Sequence, residues 1–187
     1  MKITLKKIAL IGILTALYVV LSLTLKIPLG LGNIMLDLGY LALTVAAFTV
    51  GPWAAFVGGV GALLESLWFS AYGISWGWVV MNILIGLICG LVLSKIKLEK
   101  FYHYLICGSV ILGAVLVGIT AKTIIECQLY NIPYLVKIPK SAIAFGIDTL
   151  VMWVSIPIAT QLKILWERKK HDDNEQKDET RNEDSRD

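Results

Sequence analysis

The feature that most constrains this chain is a series of apolar stretches whose lengths are close to the thickness of a lipid bilayer. The run from Ile8 to Leu25, for example, contains no charged residue and no proline. About 20 predominantly apolar residues are enough for one helical crossing of a membrane. With 57% hydrophobic residues and a mean hydropathy of +0.73, the chain has far more apolar surface than a soluble domain of its size could bury. The sequence therefore predicts an integral membrane protein.

Helix-breaking residues between the apolar stretches predict an all-α fold of six transmembrane helices. Gly51 and Pro52 separate the second helix from the third, and Asn131 and Pro133 lie between the fifth and the sixth. The second helix is short for a full span, so we expect it to be tilted or to start within the Gly- and Pro-rich loop at 27–39. The helices are predicted at Ile8–Leu25, Leu36–Val50, Trp53–Ser70, Trp76–Leu93, Tyr104–Glu126 and Ile138–Trp166.

Two regions of the chain differ sharply in composition. Residues 1–167 form the predicted six-helix membrane domain, whereas residues 168–187 contain no apolar side chain and are expected to be a disordered cytoplasmic tail. With the N-terminus inside, thirteen lysines and arginines lie on the inner side, or ten without Lys177, Arg181 and Arg186, against four on the outer side. The excess of basic residues predicts that both termini are cytoplasmic.

Composition also argues against several other classes of function. The net charge of +3 averages a basic rim with an acidic tail, so it gives no reason to expect nucleic-acid binding. The cysteines, Cys89, Cys107 and Cys127, lack paired spacing and are interpreted as small apolar residues, not as disulfide or metal ligands. An enzyme would need a nucleophile with a base or a metal cluster, but His103 and His171 lie at the inner edge and in the tail. No catalytic residue, metal or cofactor is predicted.

The stretch from Ala121 to Asp148 places four ionisable residues in or against apolar runs. Lys122 and Glu126 are four apart and share a helix face, while Lys140 and Asp148 are about two turns apart and are predicted to share another. Charges inside a membrane usually face a partner or a watery cavity, so this is the default place for a ligand. Mixed signs suit a zwitterionic or hydrogen-bonding ligand; the alternative is a set of salt bridges that hold the helices in register. For Asp148, which is deeper, a structural lysine partner is an equal alternative.

Aromatic residues crowd the turn between the third and fourth helices and offer stacking surfaces for a flat ligand. These are Trp68, Tyr72, Trp76 and Trp78. The alternative for each is the belt of aromatic residues that gathers at membrane interfaces. Asn82, one turn below Trp78, is a stronger candidate for substrate binding because a buried amide needs a partner.

Three further polar residues each have two interpretations. Glu65, among apolar residues of the third helix, either lines the cavity or pairs within the bundle. Asn33 and Asp37, in or just after the first loop, are candidates for closing over a ligand. Asp37 is equally placed to cap the second helix.

Small residues indicate where helices approach closely. The segments GPWAAFVGGVGALLES and NILIGLICG predict close packing of the third and fourth helices. In the first helix, Gly12 and Ala16 form a small-xxx-small step. This step is either internal packing, which the pattern alone favours, or a docking surface for another membrane protein.

Together these features resemble the substrate-binding S components of energy-coupling factor (ECF) transporters, small bacterial proteins of six helices with both ends inside. The resemblance covers about residues 5–167. It rests on the step GILTA, the loop leading into LDLGYLALTVAAFTVGPWAAFVGGVGALLES, the stretch GWVVMNILIGLICGLV, and the pair KTIIE and IPKSAIAFGIDTLVMWVSIPIA. The family commonly carries Ala-xxx-Ala in its first helix, where this chain has Gly12 and Ala16.

The resemblance implies a transport role without enzymatic activity, in the bacterial cell membrane. An S component binds a vitamin or similar micronutrient at its outer face, and Gly12 and Ala16 would contact a membrane-embedded coupling subunit (T component) served by two cytosolic ATPases. This chain has no G-x-x-x-x-G-K-[ST] phosphate loop, so ATP hydrolysis would belong to a partner. The side chains do not select one vitamin, although the aromatic rim mildly favours a planar ring.

A self-sufficient, proton-coupled secondary transporter of a small polar solute is the alternative. Glu126 and Asp148 are the residues that would carry protons. Against it, the six helices show no evident internal repeat, which most such carriers possess.

Overall fold

A computed structural model describes residues 5–25, 27–28, 35–69, 73–96, 101–166 and 168. The described residues form six α-helices, which confirms the predicted all-α membrane fold. The helices are α1 (Leu5–Thr24), α2 (Gly39–Thr49), α3 (Ala54–Phe69), α4 (Trp76–Leu93), α5 (Phe101–Tyr130) and α6 (Tyr134–Val154). The predicted tail lies outside these residues, apart from its first residue, and the cytoplasmic placement of the termini stays a prediction.

Four helical segments of the described chain are long and apolar enough to cross a membrane, namely Leu5–Thr24, Trp76–Leu93, Tyr102–Tyr130 and Tyr134–Trp166. Helix α3 has 16 residues and α2 only 11. Nearly every residue of α2 is buried, because the other helices surround it. A helix that is apolar all round suits such a central position.

Helices that follow one another in sequence run in opposite directions, so the bundle has two distinct ends. At one end, Lys163 beyond α6 donates hydrogen bonds to the carbonyl oxygens of Ser94 (2.8 Å) and Ile96 (3.3 Å), just after α4. We call this the terminal end, because α1 begins there and the last helical residues end there. The opposite end, the loop end, holds the α1–α2, α3–α4 and α5–α6 connections.

Close approach of α3 and α4 depends on glycines, as the sequence predicted. A Cβ atom on Gly58 would lie 2.7 Å from the carbonyl oxygen of Asn82, and one on Gly86 would lie 2.5 Å from that of Ala54. Gly90 lies against the backbone of Gly51, whose φ of +67° is one that glycine adopts without strain. These contacts fix the depth of α4 relative to its neighbours.

The connections differ from the sequence-based boundaries in two places. The first loop contains a short antiparallel ladder of β1 (Ile27–Pro28) and β2 (Met35–Leu36) that the sequence did not reveal, since two residues per strand are too few for a periodic pattern. At the loop end, α5 and α6 each extend about one turn beyond the predicted limits. Only residues 131–133 separate them, and Asn131, with a φ of 51°, ends α5.

The last helix is interrupted close to Pro157. A break at Ser155 divides α6 from the helical residues that continue to Trp166. Pro157 lies two residues further on and has no N–H to donate to the carbonyl oxygen four residues earlier. The backbone resumes its regular bonding when the Ala159 N–H donates to the Ser155 carbonyl oxygen, at 3.0 Å.

Candidate functional site

Trp78 lies at the centre of a polar cluster at the loop end. Its indole Nε1 donates a hydrogen bond to Oε2 of Glu65 on α3, at 3.1 Å. The ammonium of Lys122, from α5, stands 4.4 Å from the centroid of the Trp78 ring, within the range of a cation–π interaction. Tyr40 of α2 approaches the same ring edge-on, with centroids 6.1 Å apart. One side chain thus connects four helices.

Asn82 extends the cluster to α1. Its Nδ2 donates to the carbonyl oxygen of Trp78 (2.9 Å), and its Oδ1 accepts a hydrogen bond from the hydroxyl of Tyr18 (3.1 Å). Asn82 and Tyr18 are both fully buried. The prediction that this amide needs a partner is confirmed, and both partners lie within the protein.

On the side of the cluster formed by α5 and α6, Glu126 forms an ion pair with Lys137. The Glu126 side chain is 7% exposed and that of Lys137 is 22% exposed, so the pair is largely withdrawn from solvent. Gly77 makes room for it, because a Cβ atom there would lie 2.8 Å from Cγ of Glu126. Below the pair, the hydroxyl groups of Thr123 and Ser141 are 2.8 Å apart and join the same two helices.

Asp37 lies at the edge of the cluster nearest the first loop. Its Oδ1 accepts hydrogen bonds from the Ser22 hydroxyl (2.8 Å) and from the Gly39 N–H (2.7 Å). It therefore holds the N–H of the first residue of α2, although the N-cap position itself belongs to Leu38 and has no side-chain cap hydrogen bond. Its second oxygen, Oδ2, has no hydrogen-bond partner among the described residues.

Asp148 lies deeper, where α6 meets the cluster. It is 4% exposed and lies within electrostatic range of Lys122 and Asp37. The hydroxyl of Tyr40 lies close to the Asp148 carboxylate. In the described part of the chain, that hydroxyl makes no hydrogen bond of regular geometry.

Several predicted site residues lie away from this cluster. Trp68 and Trp76 are 80% and 51% exposed, on the outer surfaces of α3 and α4. Lys140 is also exposed, so it does not share the buried face of Asp148. Asn33 and Tyr72 lie outside the described residues.

Helix geometry explains why Lys137 and not Lys140 joins the cluster. At about 100° per residue, the eight residues from Lys140 to Asp148 leave the two side chains roughly 80° apart around α6. The 11 residues from Lys137 to Asp148 make slightly more than three whole turns and leave only about 20° between them. Finer use of the helical period would have identified Lys137 as the lysine on the face of Asp148.

Sequence reasoning missed two tyrosines of the cluster. Tyr18 and Tyr40 are fully buried within apolar helices. A phenolic hydroxyl in such a position usually has a polar partner. The need of each hydroxyl for a polar partner could have indicated these two tyrosines, but aromatic residues are also common in apolar cores.

The small-residue step of α1 faces outward. A Cβ atom on Gly12 would meet nothing within 4 Å, and Ala16 is exposed. Ile13, beside them, is 64% exposed. Packing inside the bundle, which the sequence pattern favoured, is therefore wrong for this step, and docking stays a prediction.

The described residues contain no group of three or more His, Cys, Asp or Glu side chains that could hold a metal ion. Within the same residues, Cys89, Cys107 and Cys127 are buried thiols without a disulfide. The polar character of the site therefore comes from carboxylates, lysines, hydroxyls, one amide and one indole.

An apolar bundle of helices long enough to cross a membrane, with a polar cluster at one end, defines a multi-pass membrane protein. The chain belongs to the ECF-type riboflavin transporter S component family, whose profile matches residues 2–163. Membership confirms the resemblance drawn from the sequence.

Solved structures of S components share the fold. The chain is similar to the S component for biotin from an ECF-type ABC transporter, with a TM-score of 0.68 and 17% identity over 87% of this chain and 95% of that one. It is also similar to FolT bound with folic acid, with a TM-score of 0.59 and 22% identity over 80% and 90% of the two chains. At these identities the likeness is one of fold.

Curated relatives carry the description UPF0397 protein. One from Lactobacillus johnsonii is 36% identical over 97 residues, which make up 51% of each chain. Another, from Staphylococcus aureus, is 29% identical over 139 residues, or 70% of this chain and 74% of the relative. The chain thus spans about half the length of the first of these relatives and about three quarters of the second.

Proposed function

We propose that the protein captures a vitamin or a related micronutrient at its loop end, as the substrate-binding subunit of an ECF-type importer. The observation that carries this proposal is the concentration of buried charged and polar side chains at one end of an otherwise apolar bundle. Ionisable residues are costly at membrane depth and are rarely found there without a function. Family membership makes ligand capture the function that best explains them.

The cluster combines the groups that a small polar ligand needs. Trp78 and Tyr40 offer aromatic surfaces, Asn82 offers an amide, and Lys122 offers an ammonium group. A pocket with a few converging polar groups among apolar and aromatic walls is the usual form of a ligand site. Because these side chains come from different helices, a bound ligand would also link those helices.

Delivery would depend on partners. Gly12 and Ala16 form a shallow outward face on α1, which suits close approach by a helix of a membrane coupling subunit. Two cytosolic ATPases would supply the energy, so the protein itself is a binding subunit and not an enzyme. The excess of basic residues near the termini supports a loop end that faces outward from the bacterial cell membrane.

Native mass spectrometry of the detergent-purified protein, from cells grown in rich medium, tests capture directly. We expect a co-purifying molecule of vitamin size, or binding of one member of a vitamin panel added afterwards. Glu126→Ala and Asn82→Ala should weaken that binding, whereas Trp76→Ala, on the exposed face of α4, should leave it unchanged. A wild-type protein that binds no vitamin would contradict the proposal.

Uptake into proteoliposomes tests the role of the partners. We expect transport only when the coupling subunit and both ATPases are present with ATP. Transport by the protein alone, driven by a proton gradient, would support a secondary transporter instead.

A further inference from the structure

Asp37 and Asp148 place two buried carboxylates in one part of the cluster. They are 2% and 4% exposed, and they lie within electrostatic range of each other. Both protein donors to Asp37 use the same oxygen, Oδ1. Its Oδ2 is left without a hydrogen-bond partner among the described residues. A buried carboxylate oxygen without a donor is costly and needs an explanation.

Tyr40 is a second, independent indication at the same place. Its side chain is fully buried, and its hydroxyl, which lies close to the Asp148 carboxylate, makes no hydrogen bond of regular geometry in the described part of the chain. A phenol can both donate and accept. One incoming group that carries several N–H bonds would satisfy the hydroxyl and the free carboxylate oxygen together.

The charges of the described cluster also favour a positive ligand group. Lys137 is already paired with Glu126, and Lys122 is the remaining lysine within reach of several acids. Apart from Glu65, which accepts a hydrogen bond from Trp78, the carboxylates of the described cluster outnumber these two lysines, three to two. They belong to Asp37, Glu126 and Asp148. A ligand that brings a positive charge would reduce this imbalance, whereas an anionic ligand would increase it.

We propose that Asp37 and Asp148, with Tyr40 beside them, form the subsite for a cationic group of the captured molecule, such as an ammonium or a protonated ring nitrogen. This inference rests on the proposed function and narrows its substrate class. It assigns the positively charged part of the ligand to the side of the cluster formed by α2 and α6. The indole ring of Trp78, which Tyr40 contacts edge-on, would lie beside the uncharged part of the ligand.

The test is a titration of the full-length purified protein, followed by native mass spectrometry, with ligands that differ in charge. Pyridoxamine and pyridoxine form a matched pair, because they share a ring and differ in an aminomethyl against a hydroxymethyl group. Thiamine adds a second cation, riboflavin a neutral ring system and biotin an anion. The same titrations are made on Asp37→Asn, Asp148→Asn and Tyr40→Phe, which keep side-chain size.

Thr149→Val is the matched control. Its hydroxyl is another buried group without a hydrogen-bond partner among the described residues, and it lies next to Asp148 along α6. A helical neighbour points about 100° away, so this hydroxyl lies on a different face. We expect its removal to leave ligand affinity within about twofold of wild type.

We expect the ligand that binds most tightly to be a cation. Either Asp→Asn change should weaken its binding about tenfold or more, because each removes a charge-assisted hydrogen bond. The inference would be overturned if the ligand that binds most tightly were neutral or anionic. It would also be overturned if both Asp→Asn variants bound the cation as tightly as the wild type does. If ligand affinity depended on the sodium concentration and not on the charge of the ligand, the two aspartates would be assigned to a sodium ion. That result would also overturn the inference. If no ligand binds the wild type and none co-purifies, the capture function itself fails.

Discussion

The ammonium of Lys122 stands 4.4 Å from the centroid of the Trp78 ring, while the Nε1 of the same ring donates to Glu65 at 3.1 Å. The indole therefore lies between a cation on α5 and a carboxylate on α3, and it contacts both through different parts of the ring. The ring connects a lysine on one helix with a glutamate on another. The position of the ring decides where both charges lie at the loop end.

Replacing Trp78 by phenylalanine should disturb both contacts. The Trp78→Phe variant keeps an aromatic face but leaves Glu65 without the indole donor and weakens the cation–π contact. We expect a loss of about 1–2 kcal/mol in the free energy of unfolding and a clear drop in ligand affinity. Thermal denaturation and ligand titration measure the two effects.

Trp76→Phe is the control for that variant, since Trp76 lies two residues earlier on α4 and is 51% exposed. Its stability and affinity should match wild type. Equal losses in the two variants would show that the effect comes from tryptophan content and not from the position of Trp78.

The lysines of α6 give a second comparison. Lys137→Ala leaves the largely buried Glu126 carboxylate without its ion-pair partner, which we expect to cost about 2–3 kcal/mol. Lys140→Ala removes an exposed charge one turn away and should change stability by less than about 0.5 kcal/mol. Chemical denaturation of both variants in the same detergent measures the difference. If Lys140→Ala is the more damaging change, the placement of these lysines is wrong.

The hydrogen bond between Tyr18 and Asn82 should couple α1 to α4. Tyr18→Phe removes the donor, Asn82→Leu removes the acceptor, and each single change leaves a buried polar group unpaired. A double-mutant cycle should therefore show a coupling energy of about 1 kcal/mol. Additive losses in the double variant would contradict a direct bond between these side chains.

Close backbone contact predicts intolerance at Gly86. A Cβ atom there would lie 2.5 Å from the Ala54 carbonyl oxygen, so Gly86→Ala must push α3 and α4 apart. We expect a loss of about 2 kcal/mol or more, as for other overpacked interiors. Gly146→Ala is the matched control, because a Cβ atom at Gly146 meets nothing within 4 Å. That change should keep or slightly raise the melting temperature, since alanine is the better helix former.

The outward face of α1 gives a prediction about assembly. Gly12→Leu and Ala16→Leu should fold normally and keep ligand affinity, because neither position packs inside the bundle. If this face docks onto the coupling subunit, both changes should reduce its co-purification with that subunit and reduce uptake in cells. Gly146→Leu, another exposed glycine, should leave assembly intact. Normal assembly of both α1 variants would place the docking surface elsewhere.

The sequence by itself determined the class of the protein and its all-α character. Apolar runs of bilayer length, separated by pairs such as Gly51–Pro52 and Asn131–Pro133, predict helices and their order, because both features act locally along the chain. The glycine-rich segments also indicated correctly that α3 and α4 approach closely. Asn82 was correctly expected to be a buried amide with a hydrogen-bond partner, whereas Glu126 pairs with Lys137, a lysine that the sequence analysis did not single out.

Only the tertiary structure decided which faces of these helices point inward. In a soluble protein, polar residues mark the outer face of a helix, but in a membrane both the lipid-facing and the core-facing sides are apolar. The pattern therefore did not reveal that Trp78 joins the cluster while Trp76 faces outward, or that Gly12 packs against nothing in the chain. The helical period alone places Lys137 on the face of α6 that carries Asp148. Contacts between the helices decide that this face meets Glu126 of α5.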